Sequence, residues 1–269
     1  MTNMRITRRR LMQVSAGVLL SAELWPGALA AGDAPAADFD FVAVNDLHYW
    51  DQGCNPFFEK MVAKMKEASP KSKLLLVCGD LAEHGKAEQL TAMRDLLKPA
   101  DMEVHTVCGN HDWARDDDRK AFEEIWPGSL NYTFEHNGWQ IVALDTTDGT
   151  KSSVEIRKPA FEWLDQNMPK LDRKRPMILV THFPMGVFTP MRPKNADDLL
   201  DRFRDFNLRA VFCGHYHGFT ERSRGNATIT TGKCCSFRRD NHDRTKEKGF
   251  FACKARDGKV AREFVEVRL

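Results

Sequence analysis

Between residues 39 and 212, short apolar runs alternate with stretches whose apolar positions recur at helical spacing. The runs at 39–44, 73–77, 103–107, 177–180 and 209–212 are short and rich in Val, Leu and Ile, which predicts buried strands. The stretches at 56–67, 86–97, 159–166 and 195–206 repeat apolar residues at helix-like intervals, which predicts helices burying one face. Alternation of this kind belongs to layered α/β domains. Further strands are expected at 131–135, 139–144, 227–231, 249–255 and 260–267; no helix separates them, so they are expected to pair antiparallel. The small, polar stretch 31–38 reads as a linker, and 39–269 as a single domain without internal repeats or low-complexity tracts.

Composition narrows the class. Hydrophobic residues make up 42% of the 269 positions and charged residues 29%, which excludes a disordered chain, a small disulfide scaffold and a multi-span membrane protein. The formal charge of +2 comes from the N-terminus: without residues 1–30 the chain carries 36 basic and 37 acidic residues. A nearly neutral body offers no electrostatic reason to expect a nucleic-acid partner.

The N-terminus itself reads as an address. Arg8, Arg9 and Arg10 precede an apolar stretch at 11–22, which is too short for a bilayer core needing about 20 residues. Ala28-Leu29-Ala30 then supplies the small-x-small pattern of a cleavage site before Ala31. Residues 1–30 resemble a twin-arginine signal peptide, which implies passage of the folded chain through the twin-arginine export machinery to the periplasm or beyond. No cysteine follows the apolar run, so a lipid or other stable membrane anchor is not expected. The seven cysteines all lie in the body of the chain. Cys78, Cys108 and Cys213 each close an apolar run before a glycine, where packing is their expected role. A disulfide among Cys54, Cys234, Cys235 and Cys253 stays open, because adjacent Cys234 and Cys235 make neither a zinc knuckle nor a C-x-x-C pair.

The chemistry sits at the ends of the five principal strands. They lead into Asp46-Leu47-His48, Gly79-Asp80, Gly109-Asn110-His111-Asp112, His182 and Gly214-His215-Tyr216-His217. Carboxylate, imidazole and carboxamide are all metal ligands. Residues two apart in an extended segment face the same way, so Asp46 with His48, and His215 with His217, are expected to share a centre. Glycines at 79, 109 and 214 allow sharp turns and close backbone approach. Each element alone is common turn or strand-end chemistry; the ordered set of five is specific.

That set resembles the calcineurin-like metallophosphoesterase superfamily over about 38–269. The resemblance implies an α/β fold of two packed β-sheets flanked by helices, a four-layer αββα sandwich holding two metal ions at strand ends. It places Asp46, His48 and His217 on one ion, Asn110, His182 and His215 on the other, and Asp80 on both. A nitrogen and oxygen donor set without thiolate suits Mn, Fe, Zn or Co. Two cations about 3.5–4 Å apart would neutralise phosphoryl oxygens and activate a bridging hydroxide for in-line attack. His111 is implied to protonate the departing oxygen or to stabilise its charge, without being a ligand itself. Asp112 either orients that imidazole or caps a following helix.

Glu83 stands where purple acid phosphatases carry a tyrosine, three positions after Asp80, and that branch lacks the histidine present here as His48. The chain therefore looks closer to the cyclic-nucleotide and glycerophosphodiester phosphodiesterases, with a small soluble phosphodiester as expected substrate. A phosphomonoesterase of the same fold and a noncatalytic, metal-braced binding protein are the alternatives. The charged run 233–248 either folds over the site or is solvated. His84 sits at the rim or in solvent, and Tyr49 and Trp50 either stack on a base or pack their loop. Oligomeric state is not legible.

Overall fold

The computed structural model describes residues 36–268, so the signal peptide expected at 1–30 and most of the linker expected at 31–38 lie outside the described residues. Eleven strands are described: β1 (Phe39–Val44), β2 (Leu74–Val77), β3 (Glu103–Thr106), β4 (Tyr132–His136), β5 (Trp139–Leu144), β6 (Met177–Thr181), β7 (Leu208–Cys213), β8 (Thr220–Arg224), β9 (Ala227–Thr231), β10 (Gly249–Arg256) and β11 (Lys259–Glu266). The helices are α1 (Asn55–Ala68), α2 (Ala87–Leu97), α3 (Lys120–Ile125), α4 (Lys158–Asn167) and α5 (Ala196–Arg202).

The strands form two mixed sheets, ordered β11-β10-β1-β2-β3 and β4-β5-β6-β7-β9-β8. Alternation along each strand explains the layering. In β1, Phe41 and Ala43 face the other sheet and join Leu76, Ile141, Ile178 and Phe212 in the core between the two sheets. Val42 and Val44 face outward and pack with Phe58, Met61 and Met65 of α1 and Leu90 and Met93 of α2. The outer face of the second sheet, through Val142, Leu179 and Val211, is covered by Leu164 of α4 and Leu199 of α5. Strands buried on both faces are apolar on both, which is why they stand out in the sequence as continuous runs.

Three differences from the expected elements have physical causes. β8, with the sequence Thr-Glu-Arg-Ser-Arg, is a largely exposed strand at the end of its sheet and carries no apolar signal. α5 stops at Arg202 and gives way to turns, although apolar spacing continues to Phe206. The strands at 139–144 and 227–231 are only half antiparallel. β5 pairs antiparallel with β4 but parallel with β6, and β9 antiparallel with β8 but parallel with β7. In consequence β1, β2 and β3 run parallel in one sheet and β5, β6, β7 and β9 in the other. Loops at the carboxyl ends of such strands are where α/β sheets place ligands.

All seven cysteines are buried and free, so no disulfide joins Cys54, Cys234, Cys235 or Cys253. Among the described residues no helix is long and apolar enough to cross a membrane.

Candidate metal centre

The loops after β1, β2 and β7 do not continue as extended chain. Asp46, His48, Asp80, His215 and His217 all have left-handed φ, between 48° and 64°. The expectation that Asp46 and His48 converge because an extended chain alternates is therefore corrected: a turn at each of the two residues brings them together. Left-handed non-glycine residues are strained by about 1–3 kcal/mol each and persist where the surroundings over-determine them. Here the loops bond to one another, His48 N–H donating to Asp80 O at 2.9 Å and Gly214 N–H to His182 O at 2.8 Å. Close approach explains Gly109, where a Cβ would lie 2.1 Å from Asp80 Oδ1.

These turns gather the ligand candidates of both sheets. One donor atom each from Asp46, His48, Asp80 and His217 lies within 4.8 Å of the others, and so do atoms of Asp80, His182 and His215. His48 Nε2 and His217 Nε2 are 3.0 Å apart, and Asn110 Oδ1 is 3.0 Å from His182 Nε2. Asp80 belongs to both groups, with Oδ2 3.4 Å from His48 Nε2 and 3.5 Å from His182 Nε2.

Each histidine has one ring nitrogen turned to an oxygen acceptor outside the cluster. His182 Nδ1 donates to Cys78 O at 2.8 Å, His217 Nδ1 to Asp240 O at 3.2 Å and His215 Nε2 to Ser152 O at 3.0 Å. His48 Nδ1 lies 3.1 Å from Glu83 Oε2. An N–H given to such an acceptor leaves the other nitrogen with its lone pair, the arrangement that fixes the tautomer of a metal-ligating histidine. Asn110 is oriented the same way: Nδ2 donates to Thr150 O at 3.4 Å, leaving Oδ1 for the cluster.

The electrostatics fit a cation. Asp46 and Asp80 are buried, and the ion pairs they make among the described residues are with imidazoles, not with Lys or Arg. Two buried carboxylates without a permanent counter-ion are costly unless a cation joins them. Burial pushes the Asp46 carboxyl up, but His217, His182 and His48 together outweigh it and hold it below the usual range. Burial likewise opposes ionisation of Asp80, and His182, His48 and His111 overcome it. Burial disfavours the His217 cation, yet Asp46 raises that imidazole well above its ordinary value. Burial and the neighbouring His182 lower His215 to about 4, leaving it neutral and ready to ligate. With nitrogen and oxygen donors only, all deprotonated or deprotonable, the residues fit divalent ions of the first transition row.

His111 is outside these two groups and instead brings a donor atom within 4.8 Å of His48 and Glu83, its ring 4.7 Å from that of His48 and its side chain partly exposed. Its Nδ1 donates to Glu83 O at 2.9 Å, which leaves Nε2 as the working nitrogen. Asp112 does not orient this ring. It is buried, with Oδ1 accepting from Ala82 N–H at 2.9 Å and Oδ2 from Gly109 N–H at 2.8 Å. Nor does it cap a following α-helix: it closes a single 3₁₀ turn, Asn110–Asp112, and α3 begins only at Lys120. Burial and the charge of Asp80 push its carboxyl up to about 7. Asp112 thus staples the loop after β3 to the loop after β2.

Sequence reasoning missed three contributors. Glu83 is buried and lies against His48, His111 and Arg239; burial raises its carboxyl, but hydrogen bonds from His48 and Arg239 hold it at about 2. Asn45 donates to Asp46 Oδ2 at 2.5 Å. The carbonyls of Thr150 and Ser152 come from the loop after β5, and a backbone carbonyl leaves no mark in a sequence. Of the run 233–248, Lys233 pairs with Glu247 and Arg238 with Asp51, while Arg239, Asp240 and His242 reach the centre. Tyr49 is buried with its hydroxyl on Asn55, so it packs the loop; Trp50 remains partly exposed beside exposed His84, ring centroids 4.8 Å apart.

The model of the calcineurin-like phosphoesterase family matches residues 39–219. A protein of Synechococcus sp. named a probable cyclic nucleotide phosphodiesterase is 26% identical over 213 residues, covering 74% of this chain and 80% of its own. A probable glycerophosphodiester phosphodiesterase GpdQ of Arcobacter nitrofigilis is 24% identical over 195 residues, 65% of this chain and 71% of its own. Among solved structures, a purple acid phosphatase from yellow lupin superposes with a TM-score of 0.65 at 12% identity, covering 87% of this chain and 52% of that one. GAP50 of Plasmodium gives 0.61 at 13% identity over 86% and 85%. At such identities the two structures testify to the fold alone.

Proposed function

Since the chain belongs to the calcineurin-like phosphoesterase family, whose members are metal-dependent hydrolases, we propose that it hydrolyses a small soluble phosphodiester at a two-cation centre after export from the cytoplasm. The observation that carries the reading is the position of Asp80 in two ligand groups at once, one completed by Asp46, His48 and His217, the other by His182, His215 and Asn110. The phosphodiester lean is supported by the relatives named as phosphodiesterases, and export by the arginine-led N-terminal pattern.

The residues have distinct tasks. The seven ligand candidates would hold the ions at the ends of the two sheets, and the carbonyls of Cys78, Ser152 and Asp240 keep the imidazoles aimed. Bound there, such ions draw charge from the phosphoryl oxygens and make hydroxide accessible near neutral pH. His111, fixed through Nδ1, is the group placed to give a proton from Nε2 to the departing oxygen.

The test is elemental analysis of the purified protein together with a panel of phosphate mono- and diesters. Two equivalents of metal and preferential turnover of diesters are expected. Asp80→Asn should lose metal and about 100-fold or more in rate, the scale seen when charge stabilisation is removed from a reacting centre. Full activity in that variant, or a loaded wild type silent on every ester, would overturn the reading. For export, replacing Arg8 and Arg9 by Lys should leave precursor in the cytoplasm, scored by cell fractionation. Unchanged secretion would contradict the twin-arginine route.

A further inference from the structure

Arg239 lies in the segment 232–248 that follows β9, and it is set apart from the other cations there by what it touches. Its Nε donates to Glu83 Oε2 at 2.9 Å and its Nη2 to Glu83 Oε1, a two-pronged grip on a buried carboxylate. Nη2 also lies 3.5 Å from His111 Nδ1. The backbone at this position is pinned as well. Arg239 N–H donates to Ser236 Oγ at 3.2 Å, and its carbonyl accepts from Lys248 Nζ. The next residues bind the centre directly: Asp240 O takes the His217 Nδ1 proton, and the His242 ring stacks on His217 at 4.8 Å. Asn241 zips the segment together, accepting from Cys234 N–H at 2.9 Å and donating to Glu247 O at 2.8 Å. This guanidinium is therefore pre-positioned, unlike a solvated surface arginine.

A guanidinium has five N–H donors, and Glu83 occupies two of them. His111 Nδ1 gives its own proton to Glu83 O, so it is not an acceptor for Nη2. Nη1 makes no hydrogen bond or ion pair among the described residues, and 36% of the side chain is exposed. The result is a fixed cation with unused donors beside His111, an imidazole that belongs neither to the group of Asp46, His48, Asp80 and His217 nor to that of Asp80, His182 and His215.

We propose that Arg239 is a catalytic residue that contacts the substrate, donating from its free N–H edge to the departing oxygen of the phosphoester as charge builds there. The proposal rests on the phosphoesterase reading and adds to it a contact that neither ligand group supplies. Ester P–O cleavage leaves the electron pair on the departing oxygen; the proton comes from His111 Nε2, and Arg239 neutralises the charge that precedes its arrival. A donor aimed at developing negative charge contributes about 100–1,000-fold in kcat. Glu83 has the positioning role: it holds the guanidinium in place.

The experiment measures kcat over a series of aryl and alkyl phosphoesters of rising leaving-group pKa, with metal content, for wild type, Arg239→Ala and the double variant Glu83→Gln with Arg239→Ala. Expected are wild-type metal content in Arg239→Ala and a loss of about 100-fold for alkyl esters that shrinks towards 4-nitrophenyl esters. The double variant should remain as slow as the single one. An equal loss across the series, a fall in metal content, or recovery in the double variant would overturn the proposal, because Arg239 would then only neutralise Glu83 or brace the ions. A wild type without turnover on any ester overturns the functional reading itself, which separates the two failures.

Discussion

Glu83 shows how much of this site lies one step behind its ligands. It carries no motif signal, yet its carboxylate is shared by His48, Arg239 and, at 3.7 Å, His111. Burial pushes the group up, and the hydrogen bonds from His48 and Arg239 more than reverse this, to about 2. A folded-state value below the usual 4.5 means that the unfolded chain binds more protons between pH 4.5 and about 2. The stabilisation is thus complete above pH 4.5 and is lost as pH falls towards 2. Glu83→Gln should remove that acid-side dependence, on the order of 2 kcal/mol, when urea midpoints of chelator-treated protein are compared at pH 6 and pH 2.5. Parallel pH dependence in variant and wild type would show that Glu83 is not held in its charged form. At this scale the seven ligand candidates were legible because unusual polar residues stood at the ends of apolar runs. Their partners were not, since Asn45 and Glu83 are common loop residues and the carbonyls of Cys78 and Ser152 have no side-chain identity.

Among the elements, the parallel strands decide which loops meet. All seven of them, β1 to β3, β5 to β7 and β9, send a loop to the centre, and five of those loops bear the ligand candidates. The other two, after β5 and β9, supply Thr150, Ser152, Arg239 and Asp240. For these two strands the lack of a preceding helix predicts antiparallel pairing alone. β9 instead returns through the polar hairpin with β8, and β5 follows the hairpin with β4. Hydrophobic periodicity identifies a strand but not its neighbour. The tightness of the loop crossing is testable at Gly109, whose φ of −100° is ordinary, so that space and not backbone freedom requires glycine. A Cβ there would press on Asp80 Oδ1 and on the Asp80 backbone N at 2.2 Å. Gly109→Ala should displace Asp80 and reduce bound metal and activity at least tenfold, the scale of loss when the support of a ligand is disturbed. Normal metal content by elemental analysis would refute the contact.

For the whole molecule, the centre is a clasp between two sheets. Asp46, His48, Asp80 and Asn110 come from the ends of one sheet, and His182, His215 and His217 from the other. A ligand that binds only when both ends are in register stabilises the native state by its binding free energy, about 2.7 kcal/mol at 100 times its Kd. For a domain of this size that corresponds to on the order of 5–10 °C in Tm. Calorimetry with and without chelator should show a fall of that size, and an unchanged Tm would mean that the ions do not span the sheets. The sequence by itself determined the layers and the ligand candidates: a short continuous apolar run marks a strand buried on both faces, and ion-binding chemistry demands a short menu of side chains. Only the tertiary structure decided which strands lie side by side, which turns are left-handed, and which carbonyls and carboxylates stand behind the imidazoles. Those depend on contacts between segments far apart in the chain, such as His48 against His217, 169 positions away, and local pattern does not encode them.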